Sequence, residues 1–326
     1  MSGPGSGSRD QIFHSEIPAE TGTKAKLTAD HYLISNERRI ELFHPYLKNL
    51  GGGYIGVGSD QNLTLLAWAR SEYVWLMDFD VYVVRVNKMH LALLKHCENY
   101  VCFKDLWQPT NKEKTWEIIQ KKYNTENDFK EYRKSFDLAM NASYGVHSRL
   151  SELEYMTQKF NFRSFHNDPS DYNYLRDLAL KDRIKTVKGD LKNNGTFRSI
   201  AKKTKEMNIA IRVVYTSNAE EYFRFPKEYR ENILSIPTDE AGYFVRTFTN
   251  GARGVLGFPN GEKYPNEYPF HYNLQKLENM KIWMSFQYNF TPVSLLKGRT
   301  QVSKGFSIQN STPAEQGFIE TGKIDN

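Results

Sequence analysis

The residues best placed to do chemistry sit at the ends of two apolar runs. Tyr54 to Val57 is a short run containing Gly56, and it ends at Gly58-Ser59-Asp60-Gln61-Asn62. Tyr73 to Met77 is a continuous run ending at Asp78-Phe79-Asp80. Glycine has no Cβ and tolerates unusual φ, so a Gly-x-Gly turn after a strand lets the backbone approach a ligand closely. A helix starting after that turn offers N–H groups to a carboxylate or phosphate. Asp78 lies 22 residues beyond Gly56, and an acid about 20 residues on is where a ribose hydroxyl pair would be gripped. Glycine turn, helix, strand and terminal acid, in that order, point to a nucleoside-bearing ligand. The pair Asp78 and Asp80 also permits a different chemistry, in which two carboxylates hold a divalent ion bridging a diphosphate.

Ser217-Asn218 follows Ile209 to Tyr215, a β-branched, apolar segment that reads as a strand. Open α/β sheets place ligands just beyond the carboxyl ends of their strands. The same pair can equally cap a short helix through Glu221. Glu220, Glu221 and Tyr222 could bind or deprotonate a nucleophile. His271 is a candidate general base, because imidazole titrates near neutral pH, although most histidines are structural. His90 and His96 are six apart on one helix, which is poor spacing for a shared metal. HExxH, CxxC, P-loop lysine and GxSxG motifs are absent, so metalloprotease, NTPase and α/β-hydrolase readings lack support and no metal site is assigned. Cys97 and Cys102 are the two cysteines, too few for a tetrahedral metal site. Each reads as a buried structural thiol, a count that fits a reducing compartment.

These residues need elements to position them. Leu63, Leu66, Ala67 and Arg70 share one helical face, widened by Leu65, Trp68 and Ala69, so the helix after the glycine turn reads as nearly all buried, with Ser59 or Asp60 as its N-cap. Tyr73 to Met77 reads as a central parallel strand, followed by a helix carrying Met89, Leu91, Leu93 and Leu94. Further strand signals lie at 183–187, 209–215 and 242–248, with a helix carrying Phe197, Ile200, Ala201 and Met207. Strands alternating with helices predict an α/β fold. Residues 103–181 are rich in charge and aromatics, with helical spacing at Trp116, Ile119 and Tyr123 and again at Tyr132, Phe136 and Met140. They read as a helical insertion, positioned to act as a substrate-selecting lid.

With 39% hydrophobic and 25% charged residues in 326, the chain has the composition of an ordinary globular protein. It has no run of about 18 apolar residues that a membrane span requires. The balance of 44 Lys+Arg against 38 Asp+Glu gives +6, without the basic stripe that nucleic-acid binding calls for. Residues 1–10, opening with MSGPGSGS, read as a flexible leader or an engineered scar. Residues 11–299 read as a single α/β domain, and 300–326 as a polar, loosely held tail.

The ordered motifs resemble the class I S-adenosylmethionine-dependent methyltransferases, over roughly residues 50–100 and 180–250. IGVGSD matches that family's glycine loop, and Asp78 or Asp80 its ribose-binding acid. VKGDL, containing Asp190 and Leu191, looks like the loop whose acid meets the adenine amino group. VVYTSNAEEYF, containing Ser217 and Asn218, looks like the fourth-strand segment, and GYFVRTF like the fifth strand. The combination GGxYxGVGxxQNxT with SNxExY is also similar to an uncharacterised bacterial family of this fold. The resemblance implies a doubly wound, mostly parallel, Rossmann-like sheet. It implies S-adenosylmethionine held by Gly56, Gly58, Ser59, Asp60, Gln61, Asp78, Asp80, Asp190, Leu191, Ser217 and Asn218, with Glu221 or His271 as base for an unidentified acceptor. Two positions depart from the family pattern: Tyr54 stands where an acid is usual, and Asp60 where a third glycine is usual. Asp60 then either meets the cofactor's ammonium group or caps the helix. Two other readings follow: a non-catalytic ligand-binding or interaction protein on the same fold, or a metal-dependent GT-A-like glycosyltransferase acting through Asp78 and Asp80. A small-molecule substrate and a cytoplasmic location are the accompanying expectations.

Overall fold

A computed structural model of the chain describes residues 5–18, 20, 31–250 and 269–318. Residues 1–4 of the expected leader and 319–326 of the expected tail lie outside them. The chain divides into two compact units, Ala19–Asp190 and Met1–Pro18 with Leu191–Asn326. The first helix, α1 (Ser6–His14), belongs to the latter unit. Its Phe13 is buried and its Arg9 Nε donates to the Met207 carbonyl at 3.0 Å. Residues 6–10, expected in a flexible leader, are therefore helical and tied to the unit's interior.

The unit Ala19–Asp190 runs through α2 (His44–Leu47), β1 (Gly53–Val57), α3 (Gln61–Ala69), β2 (Tyr73–Asp78) and α4 (Val81–His96). Five helices follow, α5 (Tyr100–Leu106), α6 (Lys112–Tyr123), α7 (Tyr132–Ala139), α8 (Val146–Lys159) and α9 (Pro169–Leu180), before β3 (Ile184–Lys188) closes the unit. Its strands lie in the order β3-β2-β1 and are all parallel. Every residue of β2 and every residue of α3 is buried, as the unbroken apolar run of β2 in a parallel α/β layer requires. Helix α4 packs on β2 and β3, and α5, α6, α7 and α9 pack in turn on α4. Four of these five helices thus form an outer layer on α4, a packing role that helical periodicity does not separate from that of a lid.

The second unit contains α10 (Thr196–Glu206), β4 (Ile211–Ser217), α11 (Lys227–Ser235), β5 (Tyr243–Thr249), β6 (Phe270–Lys276), α12 (Leu277–Ser285), α13 (Pro292–Leu296), β7 (Thr300–Ser303) and β8 (Phe306–Gln309). β4 and β5 are parallel, β5 and β6 antiparallel, β6 and β8 parallel, and β7 and β8 antiparallel. Residues 300–309, expected as a loose tail, supply two strands. Gly305, at φ 71°, turns the chain between them, and Phe306 is buried. The chain is therefore α/β with parallel and antiparallel pairings. Among the described residues no helix is long and apolar enough to cross a membrane.

Cys97 and Cys102 are joined in a disulfide, which corrects the expectation of two separate thiols. Asn99 caps α5 by accepting from the Cys102 N–H at 3.0 Å. That cap folds the short link from α4 back on itself and brings the two Cα atoms to 5.5 Å, within bonding range.

Candidate functional site

Parallel register puts Gly56 beside Leu76 and Val57 beside Met77. The turn after β1 and the acid ending β2 therefore meet. Asp78 Oδ2 accepts the Gly58 N–H at 3.0 Å, and Oδ1 accepts the Asp80 N–H at 2.8 Å. Gly58 has φ 88° with open space where a Cβ would stand, so the turn needs glycine for its backbone conformation. Its carbonyl accepts from Asn87 Nδ2 of α4 at 2.8 Å. Gly56 has a different reason: a Cβ there would overlap Asn62 Oδ1 and Tyr54 Cε1. Asn62 is held by the Tyr54 hydroxyl at 2.8 Å and itself donates to the Val57 and Ser59 carbonyls, each at 3.0 Å. Gly56 thus makes room for a buried side chain. Tyr54, standing where the methyltransferases carry an acid, is the donor that locks that side chain.

Burial raises the Asp78 carboxyl to about 7; the Asp80 N–H opposes the rise and the Asp80 charge adds to it. Asp80 is the side-chain N-cap of α4, accepting the Tyr82 N–H at 2.8 Å through Oδ1. Its Oδ2 meets His31 Nδ1 at 2.8 Å. Each of the four carboxylate oxygens of the two aspartates thereby has one partner. Among the described residues, no group of three or more His, Cys, Asp or Glu is arranged to hold a metal. Between the two acids, Phe79 is 44% exposed.

Ser59 lies near His90, with Oγ 3.5 Å from Nε2, and burial lowers His90 to about 3. Asp60 makes no side-chain cap bond to α3. Its Oδ1 accepts the Ser35 N–H at 2.7 Å, and its Oδ2 pairs with Arg149 Nε of α8 at 3.0 Å. Arg149 also reaches Gln61 Oε1, the Glu37 carbonyl and Glu152. Asp60 thus occupies the N-cap position of α3 without a side-chain bond to the helix, and its charge is already answered by a guanidinium. The first turn of α3 is also partly closed, since the Asn62 and Leu63 N–H groups bond the Ser59 and Asp60 carbonyls.

Asp190 belongs to the same unit, just past β3. It is buried, and its N–H donates to Glu20 at 2.9 Å. The neighbouring Gly189 N–H bonds the Asp78 carbonyl at 2.9 Å, so the ends of β2 and β3 are stitched together. Gly56, Gly58, Ser59, Asp60, Gln61, Asp78, Asp80 and Asp190 thus share one unit.

Leu191, Ser217, Asn218, Glu221 and His271 belong to the other unit. Leu191 is buried, and its carbonyl accepts from Asn232 at 2.9 Å. Ser217 ends β4 at φ 51°, in the left-handed region, beside a register shift against β5. Asn218 makes no cap bond, but its amide donates to Glu221 at 3.2 Å. Glu221 also accepts the N–H and hydroxyl of Thr249, and burial raises its carboxyl. Glu220, not Glu221, is the fully buried acid of SNAEEY, paired with Arg246 at 3.1 Å and bonded by Tyr229. His271 does not suit the base role expected of it. It lies inside β6, 1% exposed and 2.7 Å from Ser307 Oγ, and burial lowers it to about 3.

Sequence reasoning missed His31, Arg149 and Phe79. Arg149 and His31 reach the turn from segments far away in the chain, with no local pattern to mark them. Phe79 could have been found, as an aromatic between two acids ending a strand.

The family model described as "Domain of unknown function (DUF7790)" matches residues 32–311, so the chain belongs to that family. No curated protein matches it.

Proposed function

For this member of the DUF7790 family we propose a nucleoside-binding function, exercised by the unit Ala19–Asp190 at the carboxyl ends of β1 and β2. The adenosine portion of an S-adenosylmethionine-type ligand is the candidate occupant. The observation that carries the reading is the 3.0 Å bond between Asp78 and the Gly58 N–H, which fixes a carboxylate against a positive-φ glycine turn. A carboxylate so placed has remaining lone pairs for a ribose diol, and the exposed Phe79 ring offers a face on which a base can stack. Strand, glycine turn, helix, strand and acid in this order support a fold of the class I methyltransferase type.

The amino-acid end of S-adenosylmethionine fits less well. Asp60, the acid the resemblance offers for its ammonium group, is paired with Arg149, and Tyr54 is committed to Asn62. These commitments favour a binding protein that keeps the nucleoside half of the site over a methyltransferase. Each oxygen of the two aspartates already meets an N–H group or His31, and among the described residues no third acid or histidine is grouped with them to hold a metal, so they give the glycosyltransferase reading no support.

Adenosine titrated calorimetrically into the full chain tests the reading. Binding should weaken about tenfold in Asp78→Ala, the loss of a contact worth roughly 1.4 kcal/mol. Equal affinity in wild type and variant would remove Asp78 from the site.

A further inference from the structure

We propose that His31 and Asp80 form a proton-accepting dyad at this nucleoside site, able to deprotonate a hydroxyl or amine carried by the bound ligand or by a second substrate beside it. The inference rests on the nucleoside reading and adds a chemistry to it. Asp80 Oδ2 lies 2.8 Å from His31 Nδ1, while the other Asp80 oxygen is occupied by the Tyr82 N–H. A carboxylate is acceptor-only, so Nδ1 carries the hydrogen and Nε2 presents its lone pair. Among the described residues, Nε2 has no hydrogen-bond partner, and the His31 side chain is 18% exposed. The ring is held in place by stacking on Tyr82, with centroids 3.8 Å apart and planes 22° from parallel.

The dyad is anchored to the nucleoside groups. The Asp80 N–H bonds Asp78 Oδ1, and Asp78 Oδ2 bonds the Gly58 N–H. One chain of hydrogen bonds therefore runs from the glycine turn through both aspartates to the imidazole. This is the arrangement in which a carboxylate orients a histidine base and stabilises the imidazolium it becomes. In the step proposed, the O–H or N–H bond of the substrate breaks, its proton passes to Nε2, and the electron pair stays on the substrate heteroatom. The positive charge gained by the ring is met by Asp80. Glu221 and His271 are tied into hydrogen bonds of their own, whereas His31 combines an orienting acid with an Nε2 that has no partner among the described residues.

The test uses the full chain and adenosine. Nitrogen-15 shifts should show His31 with hydrogen on Nδ1 and a bare Nε2. In Asp80→Asn the amide oxygen keeps the Tyr82 cap and its NH2 faces the imidazole, so the tautomer should invert. Diethyl pyrocarbonate should acylate His31 in wild type. Adenosine at ten times its Kd, about 90% occupancy, should slow that reaction about tenfold, while exposed His14 and His96 continue to react. Adenosine that binds without shielding His31 would overturn the dyad and leave the nucleoside reading standing. A wild-type His31 protonated on Nε2 would also overturn it. Absence of adenosine binding up to millimolar concentrations would overturn both.

Discussion

Burial of Asp78 gives the protein's pH response a defined sign. Its carboxyl is raised to about 7, so in the native state it holds a proton that the unfolded chain has released. Its contribution to stability is present below the ordinary carboxylate range and is lost as the pH rises through about 7. His90 and His271, lowered to about 3 by burial, act oppositely. Their contribution is present above the usual imidazole range and is lost as the pH falls toward 3. Replacing Asp78 by Asn removes the first effect alone. The variant should gain on wild type by about 1.4 kcal/mol per pH unit between roughly pH 5 and 6, the gain flattening above about 7. Urea denaturation across pH checks this, and a pH-independent difference would mean that Asp78 is not buried as described. The Asp60–Arg149 pair gives a second residue-scale expectation. Removing one member of a buried ion pair strands the other, so Arg149→Ala should cost about 3–5 kcal/mol, and the double variant Asp60→Asn/Arg149→Met should recover much of that loss.

At the scale of elements, the β1 turn depends on Gly56 for packing. A methyl group there would overlap an Asn62 side chain held by three hydrogen bonds. Gly56→Ala should therefore destabilise by about 1–3 kcal/mol, as overpacking does. Loss of nucleoside affinity without loss of stability would instead assign Gly56 to the ligand. Most elements were legible in the sequence. The continuous apolar run of β2, the apolar face of α3 and the β-branched β4 each had one pattern available to them. The glycine turn and Asp78 were legible too, because their spacing follows from one strand–helix–strand unit. What escaped notice has physical causes. In β6, His271, Asn273 and Gln275 alternate with Tyr272 and Leu274, and both sets are buried. The polar set is paid for by hydrogen bonds to neighbouring strands and helices, so the strand reads as half-exposed or irregular. The disulfide depends on the turn made by the Asn99 cap, which cysteine spacing alone does not reveal.

For the whole molecule, two features set expectations. Strand β8 pairs with β6 from Tyr272↔Phe306 to Gln275↔Gln309, so the last fifty residues described belong to the folded body of their unit. Truncation after Gly298 should abolish cooperative folding of the unit Leu191–Asn326, seen as lost near-ultraviolet circular dichroism; a truncated chain with wild-type unfolding would show β8 to be dispensable. Ligand linkage is the second. A nucleoside that binds only the native state should stabilise by about 2.7 kcal/mol at 100 times its Kd.

The most direct test compares adenosine with S-adenosylhomocysteine by calorimetry on the full chain. Asp60 is answered by Arg149 and Tyr54 by Asn62, so the amino-acid arm should add little. The two ligands should bind within about threefold of each other, a difference of less than 1 kcal/mol. Failure of adenosine to bind up to millimolar concentrations, or S-adenosylhomocysteine binding a hundredfold tighter, would contradict a site built around the nucleoside alone.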